Sequence, residues 1–266
     1  MTQVHERVAA PEAPPHAPSF FAAAAAVYAG QLARVRTARG PLLFVAVVQS
    51  LGIEILLRGV VHHNERGTAA AIVAGSTVLV AAFVGLNLLA QRFGALRAAG
   101  ALDYYAALPI SGAAVVVGTA ASYATFTVPG ALVTAVVGAA IYGLPFTYLW
   151  LALPAALVAG LALSGLGAAI GLAIPRPELA TVTGQLAMTA ALFLGVIPPS
   201  HLPPAVRGLR DVLPSTYPVD ALAAALRGHP TATGQLWRYA AAVGYALVTL
   251  ALASAVFRRA VDQPRG

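Results

Sequence analysis

Residues 112–142 read GAAVVVGTAASYATFTVPGALVTAVVGAAIY, with no charged residue from the first position to the last. A run of this kind cannot coat a soluble domain, whose helices need a polar face toward water. About 20 apolar residues in a helix already cross a hydrocarbon core about 30 Å thick. The block is therefore expected to be a long membrane span, kinked or broken at Pro129.

Working outward, similar blocks flank it on both sides. Of the 266 residues, 59% are hydrophobic and 9% charged, and the mean hydropathy is +0.79; a soluble domain carries about 25% charged residues. Spans are expected at Pro41–Val61, Ala69–Gln91, Gly112–Tyr142, Leu149–Ile174, Leu179–Ile197 and Leu236–Phe257. Gly143-Leu144-Pro145 and Pro175-Arg176-Pro177-Glu178 supply turns between them. The expected fold class is thus all-α integral membrane, with six transmembrane helices in residues 41–259.

The flanks read differently. Residues 1–19 are rich in Ala and Pro and are expected to be a disordered cytoplasmic tail, with a second short tail at 260–266. In 20–40 an apolar stretch from Phe20 to Tyr28 precedes Arg34, Arg36 and Arg39. A secretory signal has its positive residues before the apolar core, not after it. An amphipathic helix lying on the inner membrane surface, Arg toward anionic headgroups, fits that order.

All sixteen basic residues are Arg, scattered singly or in small groups between apolar blocks. That placement argues for membrane orientation rather than a nucleic-acid footprint. With both termini inside, the cytoplasmic segments hold Arg34, Arg36, Arg39, Arg92, Arg97, Arg176, Arg258, Arg259 and Arg265. The outer loops hold Arg66, Arg207, Arg210 and Arg227, so nine face four and the termini are expected in the cytoplasm of a multi-pass cell-membrane protein. The absence of Lys excludes a Walker-type phosphate loop, which needs one to reach the β- and γ-phosphates. Nucleotide hydrolysis must then be a partner's. There is no Cys for disulfides or thiolate metal sites.

Between the second and third blocks lies Arg97-Ala98-Ala99-Gly100-Ala101-Leu102-Asp103-Tyr104-Tyr105-Ala106-Ala107-Leu108-Pro109-Ile110-Ser111. Gly100 and Pro109 bracket about two turns of helix in which Leu102, Tyr105 and Leu108 recur on one face. With Asp103 and the aromatics exposed, this is either a docking element or a plain interfacial turn; the residues alone leave both open. After the fifth block, 200–234 form a Pro-rich connector with two short helical stretches, Val206 to Leu213 and from Tyr217-Pro218 to Arg227.

Taken together, Gln31 to Arg39, the Gly-x-Leu-(acid)-x4-Leu-Pro-Ile-Ser pattern of Gly100 to Ser111, and the outer connector with Leu213-Pro214-Ser215-Thr216-Tyr217-Pro218-Val219-Asp220 resemble the ABC-2 type exporter permeases. That group includes drug-resistance, polysaccharide- and lipid-exporting membrane subunits, and the resemblance covers roughly residues 25–260. It implies that Arg97, Gly100, Leu102, Asp103, Tyr104, Tyr105, Leu108 and Pro109 form a coupling helix seated in a separate ATPase subunit. Asp103 is shorter than the Glu more usual in the family. The resemblance further implies a re-entrant outer connector with Tyr217, Pro218 and Asp220 near an outer gate. It also implies a dimer with a second permease copy or paralogue, and no cofactor in this chain, ATP and Mg residing in the partner.

Glu54 and Arg58 stand four apart within the first block, hence on one helix face. Charges at that depth are costly and are functional candidates, yet an internal ion pair whose Arg snorkels outward explains them equally simply. Asn87, Gln91 and Gln185 read as interhelical hydrogen-bond glue, and Gly167-x-x-x-Gly171 as a close-packing motif. His62, His63 and Glu65 share one short loop with few other donors, which argues against a metal site. An ion-gradient-driven transporter would place more ionisable groups at mid-membrane. A membrane-embedded enzyme would need clustered catalytic side chains, and all six His lie outside the spans. The expected function is therefore an ATP-driven exporter's permease, its cargo a hydrophobic drug, lipid or glycan.

Overall fold

A computed structural model of the chain describes residues 18–34, 39–59, 66–197, 203–228 and 230–262. The His62-His63-Glu65 loop, Arg36, residues 1–17 of the N-terminal tail and 263–266 of the C-terminal tail lie outside the described residues. Everything regular within them is helical: α1 (Phe20–Arg34), α2 (Arg39–Arg58), α3 (Arg66–Ala82), α4 (Leu89–Ala98), α5 (Leu102–Ala107), α6 (Gly112–Tyr142), α7 (Ala152–Ala173), α8 (Pro177–Val196), α9 (Pro204–Val212), α10 (Thr216–Leu226) and α11 (Ala232–Asp262). A π-helical stretch, Phe83–Leu88, fuses α3 to α4, so the helical rod runs from Arg66 to Ala98.

Among the described residues, five helical segments are long and apolar enough to cross a membrane: Gly40–Arg58, Arg66–Ala98, Gly112–Tyr142, Leu149–Ala173 and Ala232–Asp262. They match five of the six expected spans. The fifth expected span coincides with α8, a 20-residue helix opened by Pro177 at its first turn. Several boundaries shift, most at two C-terminal ends. The second block does not stop at Gln91, because nothing before Gly100 breaks a helix; α4 carries Arg92 and Arg97 onward to Ala98. The last helix likewise continues past Phe257 to Asp262.

Local chemistry sets the turns. The Ser111 hydroxyl accepts from the Ala114 amide at 3.2 Å and caps α6, while Gly143, at φ +64°, closes it in the left-handed conformation that favours glycine. Of the kink or break expected at Pro129, a break is excluded: α6 continues unbroken through it.

α7 sits centrally, packed on α11, α6 and the α3–π–α4 rod. What lets backbones approach is missing side chains. A Cβ on Gly167 would collide with the Gly85 carbonyl, one on Gly171 with the Ala90 carbonyl, and one on Gly85 would lie 2.8 Å from the Ser164 amide nitrogen. The Gly167-x-x-x-Gly171 seam thus lies with Gly167 against the π stretch and Gly171 against the start of α4. α2 and α8 pack peripherally and expose Phe44, Val48, Ile55, Val182, Leu186 and Phe193. α1 lies along α6, its Ala24 backbone where a Cβ on Gly118 would be 2.5 Å from the carbonyl oxygen.

Two ends of the bundle follow from these contacts. At one end α4 finishes, α6 and α8 begin and α11 finishes: Gly94 meets Ala180 and Gly112 meets Phe257. At the other, α2 finishes beside the end of α6, and the starts of α3 and α11 meet the end of α8.

Candidate functional site

The first candidate site caps the α4–α6 end. Gly100 takes φ +71°, a left-handed turn that ends α4 and that side-chain-bearing residues avoid. The Gly100 amide donates to the Arg97 carbonyl and the Ala101 amide to the Leu96 carbonyl. α5 follows as six residues, after which Pro109 and Ser111 redirect the chain into α6. Arg97 reaches back with its guanidinium to the Leu172 carbonyl at the end of α7.

α5 turns its apolar stripe toward the bundle and leaves Asp103 and Tyr104 exposed. Leu102 is 2% exposed, packed with Phe93, Val115, Val116 and Phe257. Tyr105 leans on the same cluster, and its hydroxyl accepts a long 3.5 Å hydrogen bond from Gln31 Nε2 of α1. The Leu102–Tyr105 stripe is therefore the face by which α5 grips its own bundle, not one offered outward. Burying a Leu is worth about 1.5–3 kcal/mol, more than a six-residue helix could gain by exposing it. The outward face is Asp103, Tyr104, Ala106 and Ala107, with Leu108 half-buried and Pro109 exposed. Tyr104 is 67% exposed, its ring edge-on to Tyr105 at 5.6 Å between centroids.

The second candidate lies between α2 and α6. Glu54 is fully buried, and neither carboxylate oxygen has a hydrogen-bond partner among the described residues. The Ser50 hydroxyl, one turn earlier, is buried and unpartnered as well. A Cβ on Gly138 would lie 2.6 Å from Glu54 Oε1, so only glycine leaves room for the acid there. Arg58 does not pair with it. Its guanidinium donates instead to the Ile141 carbonyl near the end of α6, and the Tyr142 hydroxyl donates to the Glu54 backbone carbonyl at 2.7 Å. The expected Glu54–Arg58 ion pair is thus absent, because open carbonyls at a helix end suit a guanidinium as well as a carboxylate does.

The third candidate is the connector before α11. Tyr217 stacks on Tyr245, centroids 5.4 Å apart, and Pro218 is buried. Asp220 receives both terminal nitrogens of Arg210, Nη2 at 2.5 Å and Nη1 at 3.2 Å. Arg210 Nε donates to the Leu194 carbonyl of α8 at 3.1 Å, and the Thr216 hydroxyl donates to the Arg210 carbonyl. Sequence reasoning passed over Arg210 as a loop charge; ten residues and a Pro-Ser-Thr turn separate it from Asp220, and no periodicity links them. Asn87 and Gln91, read as interhelical glue, bond one another within one helix at 2.6 Å.

Arg58 and Arg238 both belong to the end of the bundle away from α5, which narrows the Arg excess read from the sequence without reversing it. Against known proteins, the model of the ABC-2 family transporter proteins matches residues 29–257. No curated protein matches the chain.

Proposed function

The chain belongs to the ABC-2 transporter family, and from that premise we propose that it is the permease subunit of an ATP-driven exporter, energised by a separate ATPase. It is a multi-pass membrane protein of a transport family. Its further reading rests mainly on one observation: α5 is locked by Leu102 into the junction of α4, α6 and α11, while Tyr104 projects outward.

α8 serves as the sixth crossing. Ala180 lies beside Gly94 at one end of the bundle, and Ile197 shares a cavity with Gly67 at the other. Its 20 residues rise about 30 Å, the thickness of the hydrocarbon core. Six crossings put both termini on the α5 side, and the Arg excess places that side in the cytoplasm of the cell membrane.

The ATPase, which carries ATP and Mg, grips the Asp103–Tyr104–Ala106–Ala107 face, with Gly100, Leu108 and Pro109 shaping it. Its closure on ATP displaces α5 as a body. Because Leu102 packs on Phe257 and Val115, the push reaches α6 and α11 together. The glycine seam between α7 and the π stretch offers a smooth surface for α7 to slide on. Transport then consists of biasing two arrangements of the bundle by a partner that binds them unequally. The exposed apolar faces of α2 and α8 suit lipid and a second permease copy or paralogue. A hydrophobic drug, lipid or glycan, taken from the cytoplasm or inner leaflet, is the cargo class.

The test is co-purification with candidate ATPases and measurement of coupled hydrolysis. Tyr104→Ala is expected to weaken assembly about tenfold or more, as loss of an exposed aromatic anchor does, with the permease still folded. Undiminished coupling in Tyr104→Ala and Ala106→Arg would refute the docking assignment. The buried, unpartnered Glu54 favours a second reading, transport driven by an ion gradient; export by the permease alone under an imposed proton gradient would establish it.

A further inference from the structure

At the end of the bundle away from α5, the first turn of α3, the end of α8, α10 and the start of α11 enclose a cavity of about 470 Å³. Its charged lining consists of Arg210, Arg227, Arg238 and Asp220. Arg210 is engaged by Asp220 and the Leu194 carbonyl, with Asp211 at 3.9 Å. Arg227 and Arg238 have no ion-pair partner among the described residues. Among the described residues, three guanidinium groups line the concave space against the Asp220 carboxylate, with Asp211 3.9 Å from Arg210, which leaves an excess of one positive charge.

The backbone adds to that field. Gly67 and Thr68 line the same cavity from the first turn of α3, where amide groups have no acceptor within the helix and the dipole is positive. A Cβ on Gly67 would meet nothing within 4 Å among the described residues. Arg238 is held against its own helix: its Nη1 lies 3.1 Å from where a Cβ on Gly234 would stand, a position that glycine keeps clear.

Two guanidinium forks and a helix N-terminus lining one space supply the kinds of donor that a tetrahedral oxyanion takes. We infer that this cavity binds a phosphate group, carried by an anionic phospholipid headgroup or present as free phosphate. Its volume exceeds what a lone phosphate fills and falls in the range of small-molecule sites. Its place at the helix ends, level with the interface, suits a headgroup. The site stands on the cavity and its lining, independently of the ATPase partner and of which side of the membrane it faces.

The experiment uses the full chain, stripped of lipid in an uncharged detergent, titrated separately with inorganic phosphate and with dioctanoyl phosphatidylglycerol. Calorimetry reads binding, and Trp237, next to Arg238, provides a fluorescence readout. Saturable binding of at least one probe is expected; binding of the lipid alone assigns the headgroup source, and equal binding of phosphate assigns the free anion. The double variant R227Q/R238Q is expected to weaken binding about tenfold or more, the loss of charge-assisted contacts. R258Q/R259Q removes the same charge at the opposite end and is expected to bind as the parent does. Absence of saturable binding by either probe would overturn the inference, as would equal weakening in both doubles, which would reveal only diffuse charge attraction.

Discussion

Replacing Asp220 with Ala removes the carboxylate that holds both terminal nitrogens of Arg210. The Arg210 side chain is 4% exposed, so water cannot take the carboxylate's place, and the guanidinium keeps its bond to the Leu194 carbonyl and a 3.9 Å ion pair with the exposed Asp211. Breaking a fully buried pair from one side costs about 3–5 kcal/mol. Asp220 is itself 34% exposed, so part of that interaction is already screened, and about 2–3 kcal/mol is the expected loss. Arg210→Met removes the cation yet keeps most of the volume; the half-exposed carboxylate left behind is hydrated, and the cost is about 1 kcal/mol. The double variant no longer buries a charge and should resemble Arg210→Met, giving a coupling of about 2 kcal/mol in the cycle. Unfolding by SDS titration in mixed micelles measures all three. If the single losses simply add, Arg210 and Asp220 do not act as a clamp between α8, α9 and α10, and the argument fails.

Gly167→Ala places a methyl group into the Gly85 carbonyl; backbone must move, and a loss of about 1–3 kcal/mol or more is expected in the same titration, with Gly167→Ala/Gly85→Ala no better. Stability unchanged by Gly167→Ala would show that the seam is not close-packed. Glu54→Gln keeps shape but cannot carry charge. Because no donor meets the Glu54 carboxylate, the change is expected to shift stability by less than about 1 kcal/mol and to leave ATP-coupled export intact. Export lost in a folded Glu54→Gln would move the assignment toward the gradient-driven reading.

Much of the fold was readable from composition and spacing. Charge-free blocks of membrane length have few options in lipid, where backbone groups must bond internally, so the places of α2, α3, α6, α7 and α11 followed directly. Gly100, Ser111 and Gly143 marked element ends because left-handed turns and helix caps are local demands. The helix boundaries at Ala98 and Asp262 were less legible, since Arg tolerates helix well and polarity alone does not stop one.

Which face of a short helix turns inward is a different kind of question. Leu102, Tyr105 and Leu108 share a face by spacing alone, but whether that face meets a partner or Phe257 depends on where a residue about 155 positions away arrives in the fold. The same holds for Glu54, whose neighbour could have been Arg58 by helical register and is Gly138 by packing. Arg210 with Asp220, and Arg227 with Arg238 around one cavity, are joined only when α8, α10 and α11 are assembled. Hydrophobicity and chain stereochemistry act over a few residues and are written in the sequence; pairing of polar groups acts over a few ångströms, and only the packed bundle brings those ångströms together.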